Sequence, residues 1–186
     1  SISNKKYRQG VFKPSNPKKC INILREDVFG KPIYRSGWEN RFMHYCNENE
    51  NVLVWGCEVV VVNYDSQIAL MEGKSRTKRR YYLDFYMELR NADGSISKKI
   101  IEVKPKAETL PPKPPKRKKL NEALTYMKNT SKWKYARKFC EERGYEFQIW
   151  TENELEAMGI KTMTMRFKAS KTKTGKRIWK SLKKRV

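Results

Sequence analysis

Two carboxylates and a lysine stand at a spacing that suits phosphodiester chemistry. Asp84 follows a tyrosine-rich run, and Glu102 precedes Lys104 by two residues. Hard oxygen ligands on a sheet suit Mg²⁺ or Mn²⁺, and such an ion polarises a phosphate oxygen and lowers the pKa of a bound water. A nearby lysine positions that water or stabilises the developing charge. The same residue types also occur on ordinary solvated strands, so this spacing alone has low specificity.

A β-hairpin is predicted to bring the three residues together. Apolar and polar residues alternate over residues 82–89, so that Leu83 and Phe85 share one face, and they alternate again over residues 101–104. This is the period of a strand with two different faces. Between the two runs, residues 92–94 end in a glycine that can adopt the left-handed conformation of a three-residue hairpin loop.

This loop fixes the register of the hairpin. If residues 92–94 form the loop, Asn91 pairs with Ser95, and Asp84 falls directly opposite Glu102. Opposed residues share a face, and Lys104 shares it because it lies two residues beyond Glu102. The two carboxylates would repel each other without a cation between them. The sequence therefore predicts a divalent metal site with an adjacent lysine.

Composition indicates a polyanionic partner. The chain of 186 residues has 42 Lys and Arg against 20 Asp and Glu, a net charge of +22. We expect nucleic acid before a membrane surface. No apolar run approaches the ~20 residues of a membrane span, and the polar N-terminus does not resemble a signal peptide. We therefore expect no membrane association and a protein made and used in the cytoplasm.

The cysteines are widely scattered and form no CxxC pair, and His44 is the single histidine. Zinc and mechanisms that need two histidines are therefore not expected. We expect reduced, buried or half-buried thiols. The four cysteines are Cys20, Cys46, Cys57 and Cys140.

Composition also divides the chain into segments. Residues 1–33 are predicted to be an irregular basic arm, and residues 34–159 a core domain. Within the core, residues 105–119 form a proline- and lysine-rich connector, which either follows a phosphate backbone or acts as a linker. Residues 160–186 form a basic tail without acidic residues, and both nucleic-acid binding and docking to an acidic partner remain open for it.

Ser36 and Glu39 have the spacing of a capping box, which predicts a helix that begins near residue 37. Glu39 is then a capping partner, or it is directed at the metal by a helix beside the sheet. Residues 52–55 and 59–62 are β-branched and aromatic, which predicts one bent strand or two short strands of a buried sheet. Glu58 interrupts this apolar run, and we expect it at a sheet edge, with a place near the site as the alternative.

The last part of the core alternates helix and strand. Residues 120–143 have helical spacing, with a predicted break at residues 129–131, and Gly144 ends the second helix. Residues 145–150 are predicted to form a strand, and a short helix follows up to about Gly159. Together these elements predict an α/β core with a central mixed sheet and flanking helices.

Basic side chains before the first catalytic strand are predicted to contact DNA phosphates. Residues 74–80 contain five basic residues in seven, and this run leads into Asp84. We interpret it as a phosphate-contacting loop rather than a solvated face. The predicted DNA-binding residues, including those of the connector, are Lys74, Arg76, Lys78, Arg79, Arg80, Lys113, Lys116, Arg117, Lys118 and Lys119.

The order of these elements resembles the PD-(D/E)XK nuclease superfamily, the fold of many restriction enzymes. More narrowly, the motifs at residues 34–39, 83–85, 102–105 and 150–152 resemble the head-completion nucleases of T-even-type tailed phages. They are also similar to the N-terminal domain of the endonuclease subunit of Tn7-like transposons. The match covers roughly residues 30–160. Leu83 stands where the superfamily often has proline.

The resemblance implies metal-site carboxylates at Glu39, Asp84 and Glu102 and a catalytic lysine at Lys104. It implies a Mg²⁺-dependent endodeoxyribonuclease, with Mn²⁺ as a substitute, that hydrolyses double-stranded DNA. It further implies action at the end of head assembly, when the packaged DNA terminus is trimmed or secured before the neck and tail attach. Portal, neck or head proteins would then be its partners, in the host cytoplasm during assembly and afterwards in the virion head or the head–tail connector.

Two other functions remain open. The first is a structural head or neck component that uses a silent nuclease fold to bind DNA or the portal. The second, weaker one is a transposon endonuclease. A ring of copies at the portal is plausible by analogy with portal symmetry.

Overall fold

The structure is a computed structural model that describes residues 9–112 and 120–162. A single 3₁₀ turn, Pro17–Lys19, lies near the start of the described chain. The helices and strands are, in chain order, β1 Gly10–Val11, α1 Ile21–Leu24, α2 Glu26–Phe29, β2 Ile33–Tyr34, α3 Gly37–Glu48, β3 Val52–Cys57, β4 Val61–Asp65, α4 Gln67–Met71, β5 Lys78–Tyr82, β6 Phe85–Arg90, β7 Ile96–Val103, α5 Lys106–Thr109, α6 Leu120–Glu141, β8 Glu146–Trp150 and α7 Glu152–Ala157.

A four-stranded mixed sheet lies at the centre, in the order β3-β6-β7-β8. The first three strands are antiparallel, and β8 runs parallel to β7. The parallel pair is joined by a crossover that contains α6, as parallel strands require. The predicted α/β class with a central mixed sheet and flanking helices is confirmed.

The hairpin of β6 and β7 has the predicted register. Phe85 pairs with Ile101. At the turn, the Asn91 N–H donates to the Ser95 carbonyl at 2.8 Å. Gly94 closes the loop with φ of 84°, a conformation that glycine adopts without steric cost. The same count places residue 84 opposite residue 102, at the end of the paired region.

The predicted continuous strand over residues 82–89 is wrong, because the chain changes sheets in its middle. The Leu83 N–H donates to the Val60 carbonyl at 3.0 Å, whereas the Asp84 carbonyl accepts from the Glu58 N–H at 3.1 Å. Strand β5 therefore pairs with β4 in a separate two-stranded sheet, and β6 joins the central sheet. As a result, Leu83 and Phe85 pack into different hydrophobic clusters instead of sharing one face.

Hydrophobic clusters cover both faces of the central sheet. On one face, Phe42 from α3 packs against Phe85, with ring centroids 4.5 Å apart. On the other face, Ile100 of β7 packs with Trp133 and Ala136 of α6. The site strands are thus held from both sides, which fixes the positions of their ends.

Helix α6 is continuous, so the predicted break at residues 129–131 is wrong. The Thr130 hydroxyl donates to the Tyr126 carbonyl one turn earlier, and the Ser131 hydroxyl donates to the Asp65 carbonyl on β4, both at 2.9 Å. Asn129 is buried. The Thr130 and Ser131 hydroxyls, which could compete for backbone groups and end a helix, are therefore satisfied here without breaking it.

Residues 9–33, the described part of the predicted N-terminal arm, pack against the core. Phe12 and Cys20 are buried in the cluster that contains Phe42. Asn22 is also buried, and its amide group exchanges two hydrogen bonds of 2.9 Å with the Cys57 backbone. This segment therefore contributes to the folded domain. The predicted tail falls almost entirely outside the described residues.

The four cysteines are free and buried, as predicted. Burial raises the pKa of the Cys57 thiol to about 12, which keeps it protonated. In the described part of the chain, no helix has the length and apolar character that crossing a bilayer requires.

Candidate active site

Asp84, Glu102 and Lys104 meet where β7 ends. The Lys104 Nζ lies 3.0 Å from Glu102 Oε1 and 3.6 Å from Asp84 Oδ2. The Val103 N–H donates to the same Asp84 oxygen at 2.9 Å. The hairpin register and the alternation along β7 account for this arrangement, and the predicted proximity of the three side chains is confirmed.

Burial makes the charged forms of these side chains costly. The Glu102 side chain is only 2% exposed and that of Asp84 21%. Burial and the charge of Glu102 raise the pKa of the Asp84 carboxyl to about 8, although Lys104 opposes the shift. Burial lowers the pKa of the Lys104 ammonium, but the two carboxylates outweigh this effect and the net shift is upward. One lysine cannot neutralise two buried carboxylates, so the cluster favours an additional positive charge.

The donor set suits a hard divalent cation. Asp84 and Glu102 direct carboxylate oxygens toward the same ammonium group, and Glu102 Oε2 is buried without a hydrogen-bond partner among the described residues. Within residues 9–112 and 120–162, no three histidine, cysteine or acidic side chains lie close enough to share a metal ion. A cation held here would therefore take its remaining ligands from water or substrate.

Glu39 has the capping role that its spacing allowed. The Glu39 N–H donates to the Ser36 hydroxyl oxygen at 3.1 Å, and its carboxylate accepts from the Ser36 hydroxyl and from the Arg35 N–H at 2.9 and 2.6 Å. Glu39 nevertheless lines the same cavity as Asp84. Its role as a metal ligand stays a prediction.

A cavity of about 530 Å³ opens beside the cluster. Four carboxylates and two cations are among its lining side chains, so its charge is opposite to that of the chain as a whole. A DNA phosphate would be repelled from such a cavity unless a cation were bound there. The charged residues that line it are Arg35, Glu39, Glu58, Asp84, Lys104 and Glu108.

A second lysine, which the sequence did not single out, lies on the α6 side of Glu102. The Lys132 Nζ is 4.5 Å from the centroid of the Tyr81 ring. Burial lowers the pKa of this ammonium, and Glu102 opposes that shift. The Tyr81 hydroxyl and the Trp133 N–H are buried without hydrogen-bond partners among the described residues. Helical spacing on α6 indicated only core packing, so no sequence signal marked Lys132.

The predicted DNA-binding residues fall partly on a strand. Lys78, Arg79 and Arg80 belong to β5, so the predicted basic loop is shorter than residues 74–80. These three side chains are exposed, and Lys74 forms an ion pair with Glu72 at 2.7 Å. Their contact with DNA stays a prediction. The predicted phosphate-binding residues of the connector, Lys113, Lys116, Arg117, Lys118 and Lys119, lie outside the described residues.

Comparison with known proteins agrees with this geometry. Residues 49–152 match the family model described as TnsA-like endonuclease N terminal. The chain is also 40% identical over 138 residues to the head completion nuclease of Enterobacteria phage T4, which covers 70% of this chain and 85% of that relative. The predicted resemblance to PD-(D/E)XK nucleases is confirmed by these matches. The chain therefore belongs to the TnsA-like endonuclease N-terminal family.

Proposed function

We propose that this chain is a divalent-metal-dependent DNA endonuclease that acts in phage head completion. The meeting of Asp84, Glu102 and Lys104 at the end of β7 carries this proposal. Two carboxylates and a lysine at this spacing provide the charges that phosphodiester hydrolysis requires. The name of the T4 relative supports the biological role.

Asp84 and Glu102 would hold Mg²⁺, with Mn²⁺ as a substitute, and Glu39 would join them as a third ligand only by leaving its contacts with Ser36 and Arg35. The ion would polarise a phosphate oxygen and lower the pKa of a bound water. Side chains and backbone groups of the protein orient the ligands and supply a further positive charge. The Val103 N–H orients the Asp84 carboxylate at 2.9 Å, and Lys104 supplies a positive charge beside the reacting phosphate.

The same proposal covers the partners and the place of action. Double-stranded DNA is the substrate, and we propose that the chain trims or secures the packaged terminus before the neck and tail attach. It would then contact portal, neck or head proteins, in the host cytoplasm during assembly and later in the head or the head–tail connector. By analogy with the symmetry of portals, we propose a ring of copies at the portal.

The decisive experiment is cleavage of supercoiled plasmid with and without Mg²⁺ or Mn²⁺. We expect metal-dependent nicking or linearisation by the wild-type protein, and a loss of about 100-fold or more in Asp84→Asn and Lys104→Met. Glu88 and Lys98 provide matched controls, because they form a carboxylate–lysine pair of 4.0 Å at the other end of the same hairpin. Glu88→Gln and Lys98→Met should cleave as the wild type does.

Circular dichroism must show that every variant is folded. DNA retardation without cleavage by the wild-type protein would refute the enzymatic proposal. That result would favour a structural head or neck protein with a silent nuclease fold.

A further inference from the structure

We propose that Arg35 is a phosphate-binding residue of the active-site cavity and that Glu58 occupies its guanidinium group until DNA enters. This inference rests on the proposed function, because it requires DNA to reach the cavity that Asp84 and Lys104 line. It assigns a role to two residues that the metal-site chemistry leaves unused.

The contact between Arg35 and Glu58 is bidentate. Arg35 Nε lies 3.1 Å from Glu58 Oε1, and Arg35 Nη2 lies 2.9 Å from each Glu58 carboxylate oxygen. The guanidinium presents a planar fork of donors that matches a carboxylate and a phosphate in the same way. The Glu58 carboxylate therefore occupies the position in which two phosphate oxygens would bind.

The pair is placed where this exchange is feasible. Both residues line the cavity beside Asp84 and Lys104, and their side chains are 49% and 37% exposed. Because both side chains are partly exposed, water and salt screen the pair, and an incoming phosphate can replace the carboxylate in the same fork. Of the two cations among the lining residues of the described cavity, Lys104 contacts two carboxylates that are 21% and 2% exposed, whereas the Glu58 partner of Arg35 is 37% exposed. Arg35 is therefore the cation better able to receive a phosphate.

The position of Glu58 is fixed by the site itself. Its φ of 53° lies in the left-handed region, which is uncommon for residues other than glycine. Its N–H donates to the Asp84 carbonyl at 3.1 Å, at the point where the chain enters β6. Arg35 is fixed in a similar way, because its N–H donates to the Glu39 carboxylate. Both members of the pair are thus tied by their backbones to predicted site residues.

The test compares removal of the competing carboxylate inside and outside the cavity. Glu58→Gln releases Arg35, whereas Glu142→Gln makes the same charge change at an exposed pair in which Arg143 Nη1 lies 3.5 Å from Glu142. Two quantities are measured on the full chain. One is the Kd for a labelled duplex DNA in EDTA, and the other is the single-turnover rate of Mg²⁺-dependent cleavage with protein in excess over DNA but below the Kd.

We expect Glu58→Gln to tighten DNA binding and raise the cleavage rate by about fivefold relative to Glu142→Gln, the scale of one released ion pair. Arg35→Ala should weaken DNA binding and lower the salt slope of log Kobs by about one. In the Arg35→Ala background, Glu58→Gln should have no larger effect than Glu142→Gln. Arg35→Lys keeps the charge but loses the fork, and it should recover only part of the loss.

Three results would overturn the inference. Equal effects of Glu58→Gln and Glu142→Gln would show that only overall charge matters. Wild-type behaviour of Arg35→Ala would remove Arg35 from DNA binding. A loss of cleavage in Glu58→Gln would assign Glu58 to the catalytic site instead. If the wild-type protein binds DNA without cleaving it, the proposed function fails, and the binding comparison still decides the role of Arg35.

Discussion

The raised pKa of Asp84 predicts a specific pH dependence of stability for the metal-free protein. A carboxyl in an unfolded chain has a pKa of about 3.9, and the pKa of folded Asp84 is about 8. Between these two pKa values, the folded state therefore holds a proton on Asp84 that the unfolded state has lost. The stabilisation that this proton gives the folded state is complete below the pKa of unfolded Asp84 and is lost as the pH rises through the pKa of folded Asp84.

The size of the effect follows from linkage. Between pH 5 and 7 the folded state retains about one more proton, so the free energy of unfolding falls by about 3 kcal/mol in total. Asp84→Asn removes the titrating group and keeps an oxygen that accepts from the Val103 N–H. The variant should lack this fall, and its advantage over the wild type should grow as the pH rises.

Urea unfolding in EDTA at pH 5, 6, 7 and 8, followed by tryptophan fluorescence, measures this difference. The Asp84→Asn curve is subtracted from the wild-type curve, which cancels the titration of groups that do not interact with Asp84 and leaves that of Asp84 with its neighbours Glu102 and Lys104. Asp93→Asn is the matched control, because hydrogen bonds to Ser95 lower the pKa of Asp93 and its titration is complete below this range. Parallel pH profiles for wild type and Asp84→Asn would refute the reasoning.

Two further substitutions test the surroundings of the site. Lys132→Met removes a half-buried charge near Glu102 and should slow cleavage about tenfold with unchanged DNA retardation. The control Lys128→Met, at an exposed position, should leave both cleavage and DNA retardation unchanged. Equal cleavage rates for the two variants would exclude a role of Lys132. Gly94→Ala forces a side chain into a φ of 84° and should lower the free energy of unfolding by about 1–2 kcal/mol in urea titrations. Gly37→Ala, where an added Cβ meets open space, should change stability less, and similar losses would contradict the hairpin geometry.

Local sequence determined the parts of the fold that depend on neighbouring residues. The register of β6 and β7 follows from a three-residue loop and a period of two, because the loop length counts the pairs back to the catalytic end. The start of α3 at Ser36 and the capping box from Thr151 to Glu154 also depend on groups within three residues. These features required no knowledge of distant contacts.

Predictions failed where distant contacts outweigh local preference. The break in α6 was predicted from three polar residues, but Ser131 finds its partner on β4, 66 residues earlier. The strand interruption at Leu83 depends on the carbonyl of Val60, which pairing between separate segments places there. In both cases, the hydrogen-bond partner lies far along the chain, where residue spacing does not reveal it.

The sequence by itself therefore determined which residues form the candidate catalytic cluster, and the tertiary structure decided which other charged residues surround it. Asp84, Glu102 and Lys104 lie on one hairpin, so their meeting depends on a local register. Arg35 and Glu58 come from different segments, and Lys132 comes from α6, which packs on the sheet face that carries Ile100. The charges of Arg35, Glu58 and Lys132 affect the site only because packing brings them there. Burial and distance set the strength of an electrostatic interaction, and neither can be read from residue spacing.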